Sequence, residues 1–305
     1  MDSGFVAVAG GVNVDIGAQS FAPLLARDSN PGRVTVSLGG VGRNIAHNLS
    51  LLGVQTELLT AIGDDVYTIE IRRSCAALGI GLSHALHVPG QPTSTYVYLN
   101  GPDGDMQLAV SDMRVCEHLT PDYFAAQLPL LREAALVVAD ANLSEDSLRY
   151  LAENCTVPLF VDTVSTIKAP KIRGILPRIH TLKPNRMEAE LLSGVPVSDW
   201  ASAERAARKL LSMGVQRVFL SMGMDGLLAA GEGETVWQPA IPADTRNATG
   251  AGDALMAAMV WSFLHGESLS RSAALGAAAS SLAVESEQTI NPSLSAQAVR
   301  RRAEL

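Results

Sequence analysis

An aspartate that directly follows a run of small residues is the feature of this chain with the clearest chemical meaning. Residues 247–254 read NATGAGDA and open a strongly apolar segment. Gly250, Ala251 and Gly252 are too small to shield their backbone N–H groups, which at a helix start form a site for a phosphoryl group. Asp253 is then placed to accept a proton from a hydroxyl that attacks this phosphate. An aspartate that only caps its helix is the alternative, but the eight-residue context favours phosphoryl transfer.

A second candidate lies in residues 180–188, HTLKPNRME, which pass from a predicted strand into a predicted helix. Asn185 and Glu188 are three residues apart, so a helix places them on one face. There they can hold a hydrated Mg²⁺ ion or orient phosphate. A capping box made by the same two residues is an equal alternative.

A third segment, residues 220–226 with the sequence LSMGMDG, ends a predicted strand in a turn bracketed by glycines. Its Ser221, Gly223 and Gly226 suit backbone contact with a nucleotide. A plain hairpin turn fits this weak motif equally well.

The N-terminal half contains polar residues suited to binding a sugar. GGVNVD at 10–15 follows the first predicted strand, and GGVGRN at 39–44 precedes a helix. Asn13, Asp15 and Asn44 offer the donors and acceptors that vicinal hydroxyls require. Neither glycine run has the spacing of a dinucleotide-binding motif, so a kinase is favoured over a dehydrogenase.

The elements that must position these residues alternate between short aliphatic strands and helices. Strands are predicted at 5–10, 56–61, 136–140, 158–162, 179–182 and 217–221. Helices are predicted at 43–52, 65–78, 201–213 and 253–265, each followed by a glycine. Continuous apolar strands in this alternation predict a doubly wound, mostly parallel α/β sheet.

Two stretches, residues 13–38 and 88–113, interrupt the alternation. Within the second, TSTYVYL at 93–99 alternates polar and apolar residues, as in a strand with one exposed face. We expect both to form a small β-sheet lid over the carboxyl ends of the main strands, where ligands bind in open α/β sheets. The exposed edges of such a lid favour a homodimer built through it. Residues 1–305 are predicted to form one domain with this lid.

The composition argues against several classes of function. The net charge is −8, the pI is near 5.3, and the one basic cluster is residues 300–302, so no nucleic-acid partner is expected. Cys75, Cys116 and Cys155 lack the spacing of zinc or redox motifs. No segment has the length of a membrane span or the pattern of a signal peptide, so a cytoplasmic protein without membrane contact is expected.

Together, these motifs resemble the ribokinase-like, or PfkB, family of sugar and nucleoside kinases. The resemblance spans essentially the whole chain, and its most specific part is GAGD at 250–253. It implies a ribokinase-like fold and the phosphorylation of a hydroxymethyl group by ATP with Mg²⁺. Residues 28–33, 39–49, 180–190 and 220–223 are similar to the members that phosphorylate pseudouridine. The implied products are pseudouridine 5′-phosphate and ADP.

The resemblance also implies roles for individual residues. Asp253 matches the catalytic base, and residues 250–252 match the anion hole. The pair that acts on Mg²⁺ through water is matched by Glu188 and Asn185. The sugar contacts are matched by Asn13, Asp15, Gly39, Gly40 and Asn44. The expected ATP contacts are Asn185, Ser221, Gly223, Gly226, Thr249, Gly250 and Gly252.

Two positions depart from ribokinase itself. Val41 stands where ribokinase has lysine, and Arg43 is the candidate replacement for that substrate contact. Asn247 stands where ribokinase has an aspartate at the start of its monovalent-cation loop, which puts K⁺ dependence in doubt. Backbone carbonyls of residues 247–249 and 283–292 still offer ligands for the ion.

Base recognition requires a polar partner from the lid, because a missing hydrogen bond can reject an analogue strongly. The candidates are Asp28, Ser29, Asn30, Thr93, Ser94 and Asp112. An exposed Pro-Gly turn is the alternative for residues 28–32, and solvated side chains are the favoured interpretation of Lys168 and Lys171. A kinase for ribose, adenosine or another nucleoside is the alternative activity. A catalytically silent sugar-binding regulatory protein is the alternative outside enzymes.

Overall fold

Aliphatic runs form the central strands, because Val, Leu and Ala pack well on both faces of a covered sheet. The computed structural model describes residues 4–304. The strands are β1 (Val6–Ala9), β2 (Asn13–Ser20), β3 (Gly32–Gly39), β4 (Thr56–Leu59), β5 (Ala61–Ile62), β6 (Ile80–Gly81), β7 (Leu86–His87), β8 (Thr95–Asn100), β9 (Met106–Asp112), β10 (Leu136–Asp140), β11 (Leu159–Asp162), β12 (Thr181–Lys183), β13 (Arg217–Ser221), β14 (Leu227–Gly231) and β15 (Glu234–Gln238).

The helices join these strands and cover the sheet. They are α1 (Val41–Leu51), α2 (Val66–Ala77), α3 (Pro121–Ala126), α4 (Leu128–Glu133), α5 (Glu145–Asn154), α6 (Arg186–Ser193), α7 (Trp200–Ser212), α8 (Ala251–Leu264), α9 (Leu269–Val284) and α10 (Ala296–Arg302). Short 3₁₀ helices are formed by Arg114–His118, Ala169–Arg178 and Gly223–Asp225. The helices predicted at 43–52, 65–78, 201–213 and 253–265 correspond to α1, α2, α7 and α8, and the helix predicted to follow the strand in residues 180–188 is α6.

In the described part of the chain, nine strands form the main sheet, in the order β15-β14-β13-β12-β11-β10-β1-β4-β6. Each pair of neighbours from β13 through β12, β11, β10, β1 and β4 to β6 is parallel. The pairs β13–β14 and β14–β15 are antiparallel. All six predicted strands lie in this sheet, and the predicted doubly wound, mostly parallel α/β fold is confirmed. The edge hairpin of β14 and β15 lies outside the prediction, as do α3, α4, α5, α9 and α10.

The core consists of two layers, one on each face of the main sheet. Alternate residues of β1 separate them, since Val6 and Val8 pack in the layer that contains α1, α8 and α9, whereas Ala7 and Ala9 pack in the layer that contains α5, α6 and α7. Every residue of β1 and β10 is buried. The carboxyl ends of these central strands are therefore held rigidly.

Strands β3, β2, β8 and β9 form a separate four-stranded sheet, called the small sheet below. It contains the strands predicted in residues 13–38 and 88–113, but its edge strands do not have the expected single exposed face, because residues 32–37 of β3 and 106–111 of β9 are all exposed. Strand β2 pairs antiparallel with β3 and parallel with β8, and β8 pairs antiparallel with β9. Because side chains alternate along each strand, one face carries polar residues such as Asp15 and Tyr96, and the other carries Val36, Val97 and Val110.

Across the described range 4–304, no helix is both long enough and apolar enough to cross a bilayer.

Candidate active site

Two cavities meet at the turn of residues 247–253. The larger one, called the polar cavity, has a volume of about 1260 Å³ and lies between the small sheet and this turn. The smaller one, called the apolar cavity, has a volume of about 340 Å³ and mostly aliphatic walls that include Met224, Ile241 and Leu255. The residues of the turn divide between them: Ala248, Ala251 and Gly252 line the apolar cavity, and Asn247, Thr249, Gly250 and Asp253 line the polar cavity.

Asp253 lies in the first turn of α8, where the two cavities meet. Gly250 precedes the helix with a φ of 87°, and a side chain there would clash with the Thr289 carbonyl, so the turn requires glycine. Asn44 Nδ2 donates a hydrogen bond to Asp253 Oδ2 over 2.9 Å. Burial, followed by repulsion from Asp162, raises the pKa of Asp253 to about 8. The carboxyl group therefore titrates near neutral pH, as a general base should.

The polar cavity contains unsatisfied and paired groups that suit sugar hydroxyls. Asn44 Oδ1 is buried and has no hydrogen-bond partner in the described part of the chain, so a ligand hydroxyl would complete it. Asn13 Nδ2 donates to Asp15 Oδ1 over 2.6 Å, and burial raises the pKa of Asp15. Asn13, Asp15, Asn44 and Asp253 all line this cavity, so the structure brings together the side chains that the sequence motifs single out.

Gly39 and Gly40 serve this cavity through their lack of a side chain. A side chain at Gly39 would clash with the Asp15 carboxylate, so Gly39 makes room for that group and does not itself line the cavity. Gly40 lines the cavity with a φ of 98°, and a Cβ there would lie 2.5 Å from the Gly11 carbonyl oxygen. Two backbone segments can therefore approach each other closely at this point.

Asp140, at the end of β10, organises three segments beside the polar cavity, although the sequence motifs do not indicate it. Its Oδ2 accepts hydrogen bonds from the N–H groups of Gly11 at 2.9 Å and Gly42 at 2.8 Å. Its Oδ1 accepts from the N–H group of Asn142 at 2.8 Å. Burial raises the pKa of Asp140. The only sequence signal is an acidic residue at the end of a wholly apolar strand.

Lys183 and Asp162 form a buried ion pair beside Asp253. The sequence motifs do not indicate this pair either. The two residues face each other in register at the ends of β12 and β11, with Nζ 3.2 Å from Oδ2. Burial acts to lower the pKa of Lys183, but Asp162, Glu188 and Asp253 outweigh it and raise that pKa. A Cβ added at Gly252 would lie 3.1 Å from Nζ. The ammonium group is therefore adjacent to the N-terminus of α8.

Asn185 and Glu188 form a capping box, which is one of the two roles predicted for them. Asn185 Oδ1 accepts from the Glu188 N–H at 3.0 Å, and Glu188 Oε2 accepts from the Asn185 N–H at 2.8 Å. Glu188 also accepts from Asn185 Nδ2 and from the Thr163 hydroxyl. Among residues 4–304, no group of three or more His, Cys, Asp and Glu side chains is placed to hold a metal ion.

Ser221, Gly223 and Gly226 line the apolar cavity, and their contact with a nucleotide stays a prediction. The hairpin interpretation of this segment is confirmed, because β13 and β14 pair antiparallel on either side of it. Gly226 has a φ of 108°, and a side chain there would clash with the Gln238 carbonyl. The cavity wall at this point is therefore bare backbone.

The substrate contact predicted for Arg43 does not match the structure, because the Arg43 side chain does not line the polar cavity. Its guanidinium group is buried and donates to the Leu38 carbonyl oxygen at 3.2 Å and to the Ser74 hydroxyl at 2.8 Å. Val41 itself lines the cavity. Arg43 therefore ties α1 to β3 and α2, and the lysine absent at position 41 is not replaced by it.

All six candidate base contacts lie outside the polar cavity, and local hydrogen bonds explain the placement of three of them. Asn30 closes its own loop through hydrogen bonds with Leu25 and Asp28. The buried Thr93 bonds to Asp65 at the start of α2 through its N–H and hydroxyl groups. Asp112 is paired with Arg114, whose hydrogen bonds lower the pKa of Asp112 to about 2. Local partners occupy all three side chains.

The two lysines expected to be solvated are instead attached to the loop after β10. Lys168 Nζ donates to Asn142 Oδ1, and both residues line the polar cavity. Lys171 Nζ donates to the carbonyl oxygens of Ala141 at 3.1 Å and Leu143 at 3.0 Å. These bonds hold the loop that places Asn142 in the cavity.

The polar face of the small sheet supplies a group of lining residues that the motifs do not reveal. These residues are Gln19, Ser37, Tyr96, Tyr98, Asn100 and Ser111. They alternate with outward-facing residues on separate strands, so only strand periodicity, together with knowledge of which face is inward, would have found them.

The fold and the pair of cavities define an α/β enzyme of the ribokinase-like class. The family model of the pfkB family carbohydrate kinases matches residues 5–296. The chain therefore belongs to the pfkB family of carbohydrate kinases, which are phosphotransferases acting on an alcohol group of a sugar or nucleoside.

Individual relatives agree with this assignment. The chain is 39% identical to the pseudouridine kinase of Escherichia coli K12 over 293 residues, which cover 95% of this chain and 94% of that protein. It is 38% identical to an uncharacterized sugar kinase of the same organism, YeiI, over 96% of this chain and 81% of that protein. Among solved structures, the ribokinase of Arabidopsis thaliana complexed with ribose and ATP aligns with a TM-score of 0.90 at 23% identity, over 99% of each chain. A carbohydrate kinase from Agrobacterium tumefaciens aligns with a TM-score of 0.85 at 26% identity, over 99% of this chain and 97% of that one.

Proposed function

We propose that this protein transfers the γ-phosphate of ATP to the 5′-hydroxyl of pseudouridine, giving pseudouridine 5′-phosphate and ADP. The observation that carries the proposal is the position of Asp253, at a helix N-terminus shared by a polar cavity and an apolar cavity. The choice of pseudouridine is supported by the similarity to the E. coli pseudouridine kinase. The polar cavity would hold the nucleoside, and the apolar cavity the nucleotide.

In the proposed reaction, the 5′-hydroxyl lies against Asp253 and the sugar hydroxyls lie against Asn13, Asp15 and Asn44. The 5′-oxygen attacks the γ-phosphorus, the bond to the β-phosphate oxygen breaks, and Asp253 takes the hydroxyl proton. The hydrogen bond from Asn44 fixes the carboxylate for this step. A pKa of about 8 keeps enough proton affinity for the transfer near neutral pH.

Charge on the transferred phosphoryl group would be stabilised from two directions. The N–H groups of residues 250–252 open α8 and point at an anion at its N-terminus. Lys183 places a buried ammonium beside Gly252. Both are fixed before the reaction, so little reorganisation is required as charge develops.

The nucleotide itself would bind mostly through backbone and aliphatic contacts. The apolar walls of the smaller cavity suit an adenine ring. Ser221, Gly223 and Gly226 would border the nucleotide on one side of this cavity, and Thr249 and Gly252 would face its phosphates. Asn185, at the start of α6, is the remaining proposed contact.

Mg²⁺ would be held chiefly by the triphosphate and by water, which fits the absence of a three-ligand acidic cluster within residues 4–304. The Glu188 carboxylate already accepts three hydrogen bonds, so direct metal ligation would disrupt its capping box. Glu188 and Asn185 would instead orient metal-bound water. The ion would neutralise charge on the phosphates during transfer.

The backbone carbonyls near Asn247 are the candidate ligands for a K⁺ ion. There, Asn247 Nδ2 donates to the Glu287 carbonyl oxygen over 3.2 Å, and Oδ1 accepts from the Thr249 N–H over 2.9 Å. The neutral amide thus links the two loops itself. We therefore propose that catalysis depends little on K⁺.

The small sheet is proposed to act as a lid and as the contact between two copies of this chain. Its outer face exposes Val34, Val36, Val97, Leu108 and Val110, with exposed fractions between 43% for Val97 and 69% for Leu108 and Val110. Such a contiguous apolar patch is typical of an interaction surface. Leu108→Asp should give a monomer in sedimentation, and Val66→Asp, at an exposed apolar position on α2, should not. A wild-type monomer at micromolar concentration would contradict the dimer.

A substrate panel tests the proposed activity. Release of ADP is measured with Mg-ATP and pseudouridine, uridine, adenosine or ribose, and pseudouridine is expected to give the highest kcat/KM. Preference for ribose or another nucleoside would overturn the choice of pseudouridine and leave a kinase. Absence of ADP release with every acceptor would favour a silent sugar-binding protein.

A further inference from the structure

Tyr98 occupies a space on the small sheet that exists because its neighbour has no side chain. Tyr98 on β8 pairs in register with Gly17 on β2. A Cβ added at Gly17 would clash with Cζ and Oη of Tyr98 and would lie 2.8 Å from Cε2. The phenol ring therefore packs directly on the bare backbone of β2. Tyr98 also lines the polar cavity.

The position of this ring along the sheet corresponds to the part of a nucleoside beyond the sugar. Asp15 pairs with Tyr96, and Gly17 with Tyr98, so the two pairs are successive on the same face. Two residues of a strand advance by about 7 Å. If Asp15 contacts the sugar, a base attached at the carbon remote from the 5′-hydroxyl extends toward Tyr98.

Asn100 adds a polar group at the far end of the same face. It lies two residues beyond Tyr98 on β8, pairs with Gln19, and lines the polar cavity. Its Oδ1 is buried and has no hydrogen-bond partner among the residues that the structure describes. A buried acceptor of this kind indicates that a donor arrives with the ligand. The edge N–H groups of a pyrimidine ring are such donors.

We propose that Tyr98, seated on Gly17, is a stacking platform for the nucleobase, and that Asn100 Oδ1 accepts an N–H of the base edge. This inference rests on the proposed function and narrows its substrate class to nucleosides in preference to free pentoses. Stacking on an aromatic ring tolerates any base, because every base has a π-face. Selection among bases therefore falls to Asn100 and not to Tyr98.

Binding measured without ATP tests the platform separately from catalysis. Calorimetric titrations with pseudouridine, uridine and ribose compare wild type with Tyr98→Ala and Tyr98→Phe. Loss of the stack should raise the Kd of both nucleosides by about 5- to 100-fold in Tyr98→Ala. Tyr98→Phe, which keeps the ring, should retain most of the affinity, and ribose binding should not change. Asn100→Leu should weaken pseudouridine binding, whereas Asn100→Asp, which keeps an acceptor, should weaken it less.

Gly17→Ala completes the test, since it displaces the ring without removing it. It should weaken nucleoside binding when Tyr98 is present and have no further effect in Tyr98→Ala, a coupling that two independent sites would not show. Thermal melts establish that each variant is folded. Any of three results would overturn the inference. These are wild-type nucleoside affinity in Tyr98→Ala, equal losses of nucleoside affinity in Tyr98→Phe and Tyr98→Ala, and no nucleoside binding by the wild type. A protein that binds nucleosides through Tyr98 but never phosphorylates them would refute the proposed function alone.

Discussion

The polar and apolar cavities share one turn of the chain, but their walls differ. Polar side chains line one, whereas aliphatic side chains and bare backbone line the other. The apolar cavity is walled by aliphatic side chains and by bare backbone at Gly223 and Gly226. The polar cavity is lined by side chains such as Asn13, Asp15 and Asn44, which come from separate elements. Backbone recognises phosphate and a general ring shape, whereas placed side chains recognise a particular acceptor.

The two cavities also differ in how their walls are held. Hairpin pairing of β13 with β14 fixes the apolar wall. The polar wall depends on buried charged groups, because Asp140 joins the segments of Gly11 and Gly42. Changes on one side should therefore alter the use of one substrate, and changes at the shared turn should alter both.

The largest effect is expected at the shared turn, for Asp253→Asn. Removal of a general base lowers kcat by about 10²- to 10⁴-fold. The variant should still bind nucleoside and ATP, because the amide preserves shape and both cavities remain. Steady-state kinetics and calorimetry measure the two properties, and a variant with near-normal turnover would exclude Asp253 as the base.

The same variant should be more stable than wild type at high pH, which serves as a folding control. The folded-state pKa of Asp253, about 8, lies above the reference value of 3.8, so the folded protein binds more protons than the unfolded chain in that window. The free energy of unfolding contributed by this group therefore falls as the pH rises from about 4 to about 8. Asp253→Asn should melt above wild type at pH 8, with a smaller difference at pH 5.

A matched pair of glycines separates the two cavities. Gly40→Ala introduces a Cβ against the Gly11 carbonyl on the polar side, and Gly226→Ala introduces one against the Gln238 carbonyl on the apolar side. Displacement of a site by about 1 Å can cost on the order of 100-fold. We expect Gly40→Ala to lower kcat/KM for the nucleoside and Gly226→Ala to lower it for ATP, by about 10- to 100-fold.

Gly53→Ala is the control for this pair. Gly53 also has a positive φ, 79°, but no atom of residues 4–304 lies within 4 Å of the place where its Cβ would be. It carries the same backbone strain without the clash, so its kinetics should match wild type apart from a modest loss of stability. Equal changes in both Michaelis constants for Gly40→Ala and Gly226→Ala would show that the cavities are not separate.

A smaller effect at the shared turn is expected in the pH dependence of kcat/KM. For wild type, kcat/KM for the nucleoside should rise with pH and level off above about 8, as Asp253 ionises. Asp162 is one cause of the raised pKa, so Asp162→Asn should move this inflection to lower pH. An inflection that stays in place would mean that another group controls the rate.

The sequence predicts contiguous features of the site better than assembled ones. Asp253 and Gly250 occur in one run, so their placement follows from a single turn. Lys183 and Asp162 become neighbours only because β12 lies next to β11, and no spacing in the sequence specifies that order. Arg43 illustrates the opposite error, since its burial against Leu38 and Ser74 depends on how α1 and α2 pack. Local motifs are thus visible before folding, whereas sheet neighbours and helix packing are not.

The smallest effect is expected at the edge of the shared turn, for Asn247→Asp. The carboxylate cannot donate to the Glu287 carbonyl as the Asn247 amide does, so two groups of acceptor oxygens would face each other without a proton between them. A monovalent cation can relieve that repulsion. Wild-type activity should differ little between K⁺ and tetramethylammonium salts at equal ionic strength, whereas Asn247→Asp should be stimulated by K⁺. Strong stimulation of the wild type by K⁺ would show that the amide does not replace the ion. In that case, whether kcat or the Michaelis constant for ATP changes would reveal which side of the turn the ion supports.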